Sequence, residues 1–309
     1  MIVMPRRTRW VDLIFRIQGT VLVQIKYRLL TVLIFSLVVT YFHEQYSATV
    51  EWFSLTPFSL IGLALSIFLG FRNNTSYDRF WEGRKLWGGI VNTSRTATRR
   101  VCTLIDLPVD NPLYRQFIYQ IAAYVHALRM HLRDEWHKEQ IAHLLSADML
   151  EKLDKEINKP IAILHWLAED FARLYKEGRV HAQHLPLLED SLHFFTDLQG
   201  GCERIKSTPI PFSYNVLIHR IVAIYCFSLP FGLLSITHWF TPLVTVFVAY
   251  AFLGIDAIGE EIEEPFGYDK NDLPLEALST MIEVNVRQRI PDVELPSLKT
   301  ADIETNVLR

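Results

Sequence analysis

Four histidines crowd one stretch of the sequence, His126, His131, His137 and His143, and imidazole is a side chain that transition metals select readily. Their spacings of five and six residues do not stack them on one helical face, as an i, i+4 metal motif would require. Solvated helix surface is therefore the expectation for them, and no metal site is assigned. A second cluster is acidic. Glu260, Glu261, Glu263 and Glu264, followed by Asp269 and Asp272, supply oxygen ligands of the kind a divalent cation takes, or a field that draws cations. The solvated end of a helix accounts for the run equally simply and is preferred. The glycine pairs Gly88-Gly89 and Gly200-Gly201 lack the flanking residues of a phosphate-binding loop. No acid, base and nucleophile fall at spacings that suggest a catalytic group, so neither an enzyme nor a cofactor is expected.

The stretch 55–71 holds a different constellation. Leu63, Ile67 and Phe71 recur at intervals of four, which places them one per turn along an almost straight helical edge. Gly62, Ser66 and Gly70 form the neighbouring edge, a small-xxx-small pattern that lets helix backbones approach closely. Copies of such a helix around an axis would stack rings of apolar side chains, a constriction that gates ions by dewetting. Spacing alone fits a lipid-facing or core stripe better.

These residues need a bilayer to act on. The 309-residue chain is 50% hydrophobic with a net charge of −3, and its mean hydropathy of +0.15 is high for a soluble protein. That charge marks no binder of nucleic acid. Residues 52–71 carry no charge and would span about 30 Å as a helix, the thickness of a bilayer core. Residues 29–43 form a shorter apolar block that Lys26 and Arg28 extend by snorkelling. The uncharged run 221–255 is too long for one crossing and should turn back at Thr237, His238, Trp239, Thr241 and Pro242, giving crossings near 212–234 and 242–258. His219 and Arg220 would then lie in the third crossing, facing protein or water. Basic residues flank the crossings (Arg6, Arg7, Arg9, Arg16, Lys26, Arg28; Arg72, Arg79, Arg84, Lys85; Arg204, Lys206), whereas the hairpin tips contain none. The positive-inside rule then puts both termini and the segment 72–208 in the cytoplasm. A cleaved leader is not expected, because the first apolar run is broken by Asp12 and Arg16 without a small-residue cleavage site. Cys102, Cys202 and Cys226 are odd in number and read as buried small residues.

The expected fold class is an all-α membrane protein: a segment 1–28, a hairpin 29–71, a helical cytoplasmic domain 72–210, a second hairpin 211–258, and a C-terminal helix and tail 259–309. Within the domain, Leu113, Phe117, Ile121, Val125, Leu128 and Leu132 keep helical spacing. So do Leu164, Leu167, Phe171 and Leu174, then Leu188, Leu192, Phe195 and Leu198. Pro274 fits the first turn of a further helix, and the tail after Ile290 reads as extended.

Several motifs together resemble the bestrophins, most closely the bacterial ones: Thr56-Pro57-Phe58; Leu69-Gly70-Phe71-Arg72-Asn73-Asn74 with Tyr77, Arg79-Phe80, Glu82 and Leu86-Trp87; Gly200-Gly201-Cys202-Glu203-Arg204; Thr208-Pro209-Ile210-Pro211-Phe212; and Glu264-Pro265-Phe266-Gly267 before Asn271-Asp272-Leu273-Pro274. The resemblance covers about residues 1 to 290. It implies a homopentameric channel of a bacterial inner membrane, its neck lined by Leu63, Ile67 and Phe71, with Arg72, Asn73 and Asn74 at the neck's cytoplasmic end. It also implies a cytoplasmic aperture at Gln183, where other members carry an aliphatic residue, so a ring of amides there would be wetter. Animal members have an acidic calcium clasp after the Pro-Phe-Gly motif. Tyr268-Asp269-Lys270-Asn271-Asp272 is a poor calcium cage by comparison. By kinship with the bacterial members the expected permeant ions are monovalent cations of the sodium and potassium class, the alternative being an anion (chloride) channel like the animal relatives. A membrane-anchored sensor or enzyme ranks below both. The expected partners are further copies of the chain, the permeant ions and lipid, with no nucleic acid.

Overall fold

A computed structural model describes residues 1–2, 10–16, 19–46, 54–108, 111–291, 294–302 and 307–308. Arg6, Arg7, Arg9 and most of the first hairpin tip therefore lie outside the described residues. The elements are helices: α1 Trp10–Ile14, α2 Leu22–Tyr46, α3 Leu55–Leu104, α4 Pro112–Leu132, α5 Ala147–Asp154, α6 Lys159–Lys176, α7 Leu185–Ser207, α8 Phe212–Thr237, α9 Thr241–Glu263 and α10 Leu275–Arg287. Among the described residues β pairing is limited to isolated bridges, Ile2 with Val307 and Ile105 with Val180. The chain divides into two compact units, Met4–Phe80 with Pro209–Glu264, and Met1–Val3 with Trp81–Thr208 and Pro265–Arg309.

The first unit is the apolar one. Three segments are long and apolar enough to cross a membrane by length and composition: Leu22–Tyr46, part of Leu55–Leu104, and Phe212–Glu263. The third is interrupted by a 3-10 turn at His238–Phe240, where His238 takes a φ of 43°, and this splits it into α8 and α9. Pro242 sits in the first turn of α9, where a missing N–H costs nothing. Pro230 is held inside α8, which runs on past it. Ile25, Leu29 and Val32 of α2, Leu65 and Leu69 of α3, Ile218, Val222 and Leu229 of α8, and Ala249 and Leu253 of α9 form one buried cluster. The remaining apolar surface, such as Leu30, Ile34, Leu37 and Val38 on α2, is exposed, as helices in contact with lipid require. Gly62 leaves room for the Tyr225 ring reaching over from α8: a Cβ added there would lie 2.6 Å from the Tyr225 hydroxyl oxygen. Gly70 meets nothing within 4 Å.

The second unit packs around α4, whose N-cap Asn111 accepts from the Leu113 amide at 3.0 Å with Pro112 in the first turn. Phe117, Ile121, Val125 and Leu128 are buried as their spacing predicts, together with Leu164, Leu167, Phe171 and Leu174 of α6 and Leu188, Leu192 and Phe195 of α7. Tyr124 places its ring 4.8 Å from that of Phe195 and donates to the Phe195 carbonyl at 3.0 Å. Pro274 stands at the N-cap of α10, one residue before the expected position. One member of each glycine pair serves packing: Cβ atoms at Gly89 and Gly201 would lie 2.6 Å from Leu198 and 2.7 Å from Leu86.

A buried polar cluster sits inside this apolar shell. Glu283 of α10 lies 2.8 Å from His126 Nε2 and 2.9 Å from His143 Nε2, and accepts from Arg287 Nη1 at 2.6 Å. Arg129 donates to Ser279 Oγ at 3.3 Å and also to Gln140. Burial would raise the Glu283 carboxyl, but the hydrogen bonds from His126, His143 and Arg287 and the charge of His126 hold it well below the usual glutamate range. Burial also lowers His126, assisted by the Arg129 charge and opposed by Glu283.

Two outcomes follow from these contacts. Gly62→Leu should lower the unfolding free energy of the detergent-solubilised protein by about 1–3 kcal/mol through overpacking. Gly70→Ala should be neutral or stabilising by up to about 1 kcal/mol, and equal effects at the two sites would contradict the packing described. The second outcome concerns acid. Below about pH 6.5 the unfolded His126 takes up a proton that the buried one resists, and below about pH 4.3 the unfolded Glu283 does the same. Both groups make stability fall as pH falls, so thermal unfolding should shift to lower temperature from pH 7 to pH 5 through His126 and further below pH 5 through Glu283. Glu283→Gln should remove about 3–5 kcal/mol at neutral pH by leaving buried donors unpaired. A melting temperature that is flat over this range would count against the cluster.

Candidate functional site

Helix α3 carries the apolar edge picked out by spacing. With about 100° between successive residues, the residues of this stretch buried inside the chain (Gly62, Leu65, Leu69, Arg72 and Ser76) fall on one arc. Ile67 lies about 180° from the middle of that arc, with Leu63 and Phe71 about 40° to either side of it. The stripe therefore points directly away from the chain's own packing. Leu63, Ile67 and Phe71 are 63%, 52% and 63% exposed, against 2% for Leu65 and 1% for Leu69. Leu60, Ile61 and Phe68 are exposed as well, so exposure alone does not single the stripe out. Direction along the helix adds something. The same edge continues into Asn74 and Asp78, both exposed, and so changes from apolar to polar just past Phe71. On the adjacent edge, Ser66 turns its hydroxyl onto the Gly62 carbonyl at 2.8 Å.

The back of α3 is polar at the same level. Arg72 is fully buried and pairs through Nη1 with Asp256 Oδ1, also donating to the Asp256 carbonyl at 3.2 Å. Asp256 uses its other oxygen on His219 Nδ1 at 2.7 Å. Asn73 Nδ2 donates to the Ile255 carbonyl at 3.2 Å, and Asn73 Oδ1 crowds Gly259, where a Cβ could not fit. His219 thus faces protein, while Arg220 is exposed. Asp256 was not picked out by sequence reasoning. It follows the uncharged run 221–255 by one residue, just as Arg72 follows 52–71 by one. Two opposite charges, each at the end of an apolar span, were the signal that could have paired them.

The other sequence-derived candidates separate. Gln183 lies exposed in the connection between α6 and α7, its amide N–H donating to His181 Nδ1 at 3.2 Å. Glu260 and Glu264 are exposed, whereas Glu261 and Glu263 are buried. Glu263 accepts from the Ile210 amide at 2.9 Å and from Asn215 Nδ2 at 3.3 Å, and its carbonyl accepts from Arg79 Nε at 3.0 Å. This carboxylate thus has a structural task. Asp272 is buried and accepts from the Asp269 amide at 2.7 Å, closing a turn on which Asp269 itself is exposed. Among the described residues no group of three or more His, Cys, Asp or Glu side chains is arranged to hold a metal ion. His126 corrects the expectation of a solvated surface: it is buried against Glu283, because α4 lies at the centre of its unit. Cys202 and Cys226 are buried as expected, but Cys102 is only partly so.

Comparison with known proteins places these observations in a family. The model of the bacterial/fungal bestrophin family matches residues 1–288. The voltage-dependent anion channel-forming protein RSc3414 of Ralstonia nicotianae is 41% identical over 295 residues, 96% of each chain. The similarly named YneE of Escherichia coli K12 is 38% identical over 297 residues, again 96% of each chain. A solved bestrophin homologue from Klebsiella pneumoniae is 34% identical with a TM-score of 0.79, covering 85% of this chain and 97% of that one. A variant of that homologue gives a TM-score of 0.82 at 33% identity, covering 87% and 100%. With nearly its whole length matched by sequence and by structure, this chain belongs to the bacterial and fungal bestrophin family.

Proposed function

We propose that this protein is an oligomeric ion channel of a bacterial inner membrane, its neck formed by Leu63, Ile67 and Phe71 of α3 from each copy. The observation that carries the reading is the orientation of that edge. It lies opposite the arc α3 buries in its own chain and turns polar at Asn74 and Asp78, as a path from an apolar constriction into water would. Under this reading the neck conducts only when wetted, since rings of leucine, isoleucine and phenylalanine offer a passing ion no replacement for its hydration.

The assembly proposed is a homopentamer with four crossings per copy, α2, the first part of α3, α8 and α9, grouped in hairpins 29–71 and 211–258. The helical segments 72–210 and 259–309, with the N-terminal 1–28, lie in the cytoplasm. The charge asymmetry of the sequence supports that orientation. Arg72, Asn73 and Asn74 mark the neck's cytoplasmic end, Gly62, Ser66 and Gly70 its packing edge, and exposed Gln183 a further aperture.

For the permeant ion, the names of the relatives speak for anions, and the cation expectation gives way to that alternative. Cations remain a second reading because one observation favours them: the exposed carboxylate of Asp78 continues the neck edge, and Glu260 and Glu264 are exposed on and just beyond α9. The same relatives are named as channel-forming proteins, which speaks against the enzyme and sensor readings.

Purified protein in planar bilayers should give unitary currents, and the reversal potential under a KCl gradient separates the ions: near the chloride potential for anions, near the potassium potential for cations. Ile67→Ala should widen the neck and raise unitary conductance about twofold or more, because removing a ring of apolar side chains lowers the barrier to wetting. Native mass spectrometry should find five copies. Silence at all voltages, or an Ile67→Ala channel indistinguishable from the parent, would sink the assignment.

A further inference from the structure

The buried pair Arg72–Asp256 lies where a channel can least tolerate a net charge. Arg72 follows Phe71 directly, so its backbone sits at the level of the neck's last apolar residue, about 100° round the same helix, on the side packed into the chain. Its side chain is 0% exposed and that of Asp256 1%, and both residues come from the apolar unit of a single chain, so their burial owes nothing to assembly. A charge in such a place is poorly screened, because neither water nor salt surrounds it. Asp256 answers it twice, by carboxylate and by carbonyl, while His219 holds the second carboxylate oxygen at 2.7 Å. Arg72 Nε and Nη2 are buried and meet no acceptor among the described residues, so Asp256 is the counter-charge on which this arginine depends.

We propose, resting on the channel reading above, that Arg72 and Asp256 are specificity-determining residues. They cancel one another beside the neck, and the channel's ion preference is set against that cancelled background. A merely structural pair predicts that removing either partner loosens the protein in the same way. A charge-balancing pair predicts opposite changes. Without Asp256 the stranded guanidinium attracts anions into the neck and repels cations; without Arg72 the carboxylate, left with His219 on its second oxygen, does the reverse.

The test reconstitutes the wild type, Asp256→Asn, Arg72→Met, Arg72→Lys and the double variant Arg72→Met with Asp256→Leu in planar bilayers under a KCl gradient. Asp256→Asn should move the reversal potential toward chloride and Arg72→Met toward potassium, each by about threefold in the permeability ratio near 0.1 M salt. Arg72→Lys and the double variant should reverse where the wild type does. Shifts in one direction for both single variants, or none, would overturn the proposal. Where one single variant does not assemble, the sign of the other's shift decides, and failure of both marks a structural pair and overturns the proposal; the double variant should assemble, as apolar replacements of buried ion pairs commonly do, and keep the wild-type reversal potential. A double variant that fails to assemble or reverses elsewhere defeats the idea. A conducting wild type with unmoved variants removes this inference alone, whereas a silent wild type removes the channel reading and this inference with it.

Discussion

Lipid tails are as apolar as leucine, so helices in a bilayer gain little from burying their leucines against each other, and what holds them in register must be shape and polarity. In the apolar unit that task falls on the ion pair between Arg72 of α3 and Asp256 of α9, with Gly62 seated against Tyr225 and Asn73 beside Gly259. These contacts fix the rotation of α3 about its own axis. Once Leu65, Leu69 and Arg72 are turned inward, geometry leaves Leu63, Ile67 and Phe71 no choice but to face away from the chain. The identity of the outward edge is thus decided by what the opposite edge needs.

The two units solve the problem of buried charge differently. In the apolar unit the Arg72–Asp256 pair is insulated within one chain. In the other, Glu283 gathers His126, His143 and Arg287 around one carboxylate within a well-packed helical shell, an arrangement whose strength depends on every donor staying in place. The first concentrates a risk of net charge and the second spreads it over several partners.

Much of this was legible in the sequence, and the reasons are physical. Uncharged runs at 52–71 and 221–255 announced the apolar helices because charge in lipid is costly; length required the second run to turn back, and Thr237, His238, Trp239, Thr241 and Pro242 placed the turn. Helical spacing found the buried faces of α6 and α7, which are buried on one side, and one face of α4, which is buried nearly all round. The one-per-turn edge of α3 was visible, but spacing could not say which way it pointed; that took the buried residues on the other side. Pairings were the hardest to see. His126 and Glu283 are separated by 157 residues, and Arg72 and Asp256 by 184, so nothing local joins them. The room that Gly89 and Gly201 leave for Leu198 and Leu86 is a matter of tertiary packing, which no local pattern shows. The short helix α5 carries too few residues for periodicity to register it.

Helix α3 runs unbroken through 50 residues, about 75 Å, with no proline after Pro57. It belongs in part to each compact unit. With no proline to open its hydrogen-bond ladder beyond the first turn, this helix has no built-in joint, so the rotation that Leu69 and Arg72 set for the apolar stretch is not undone by a kink within it.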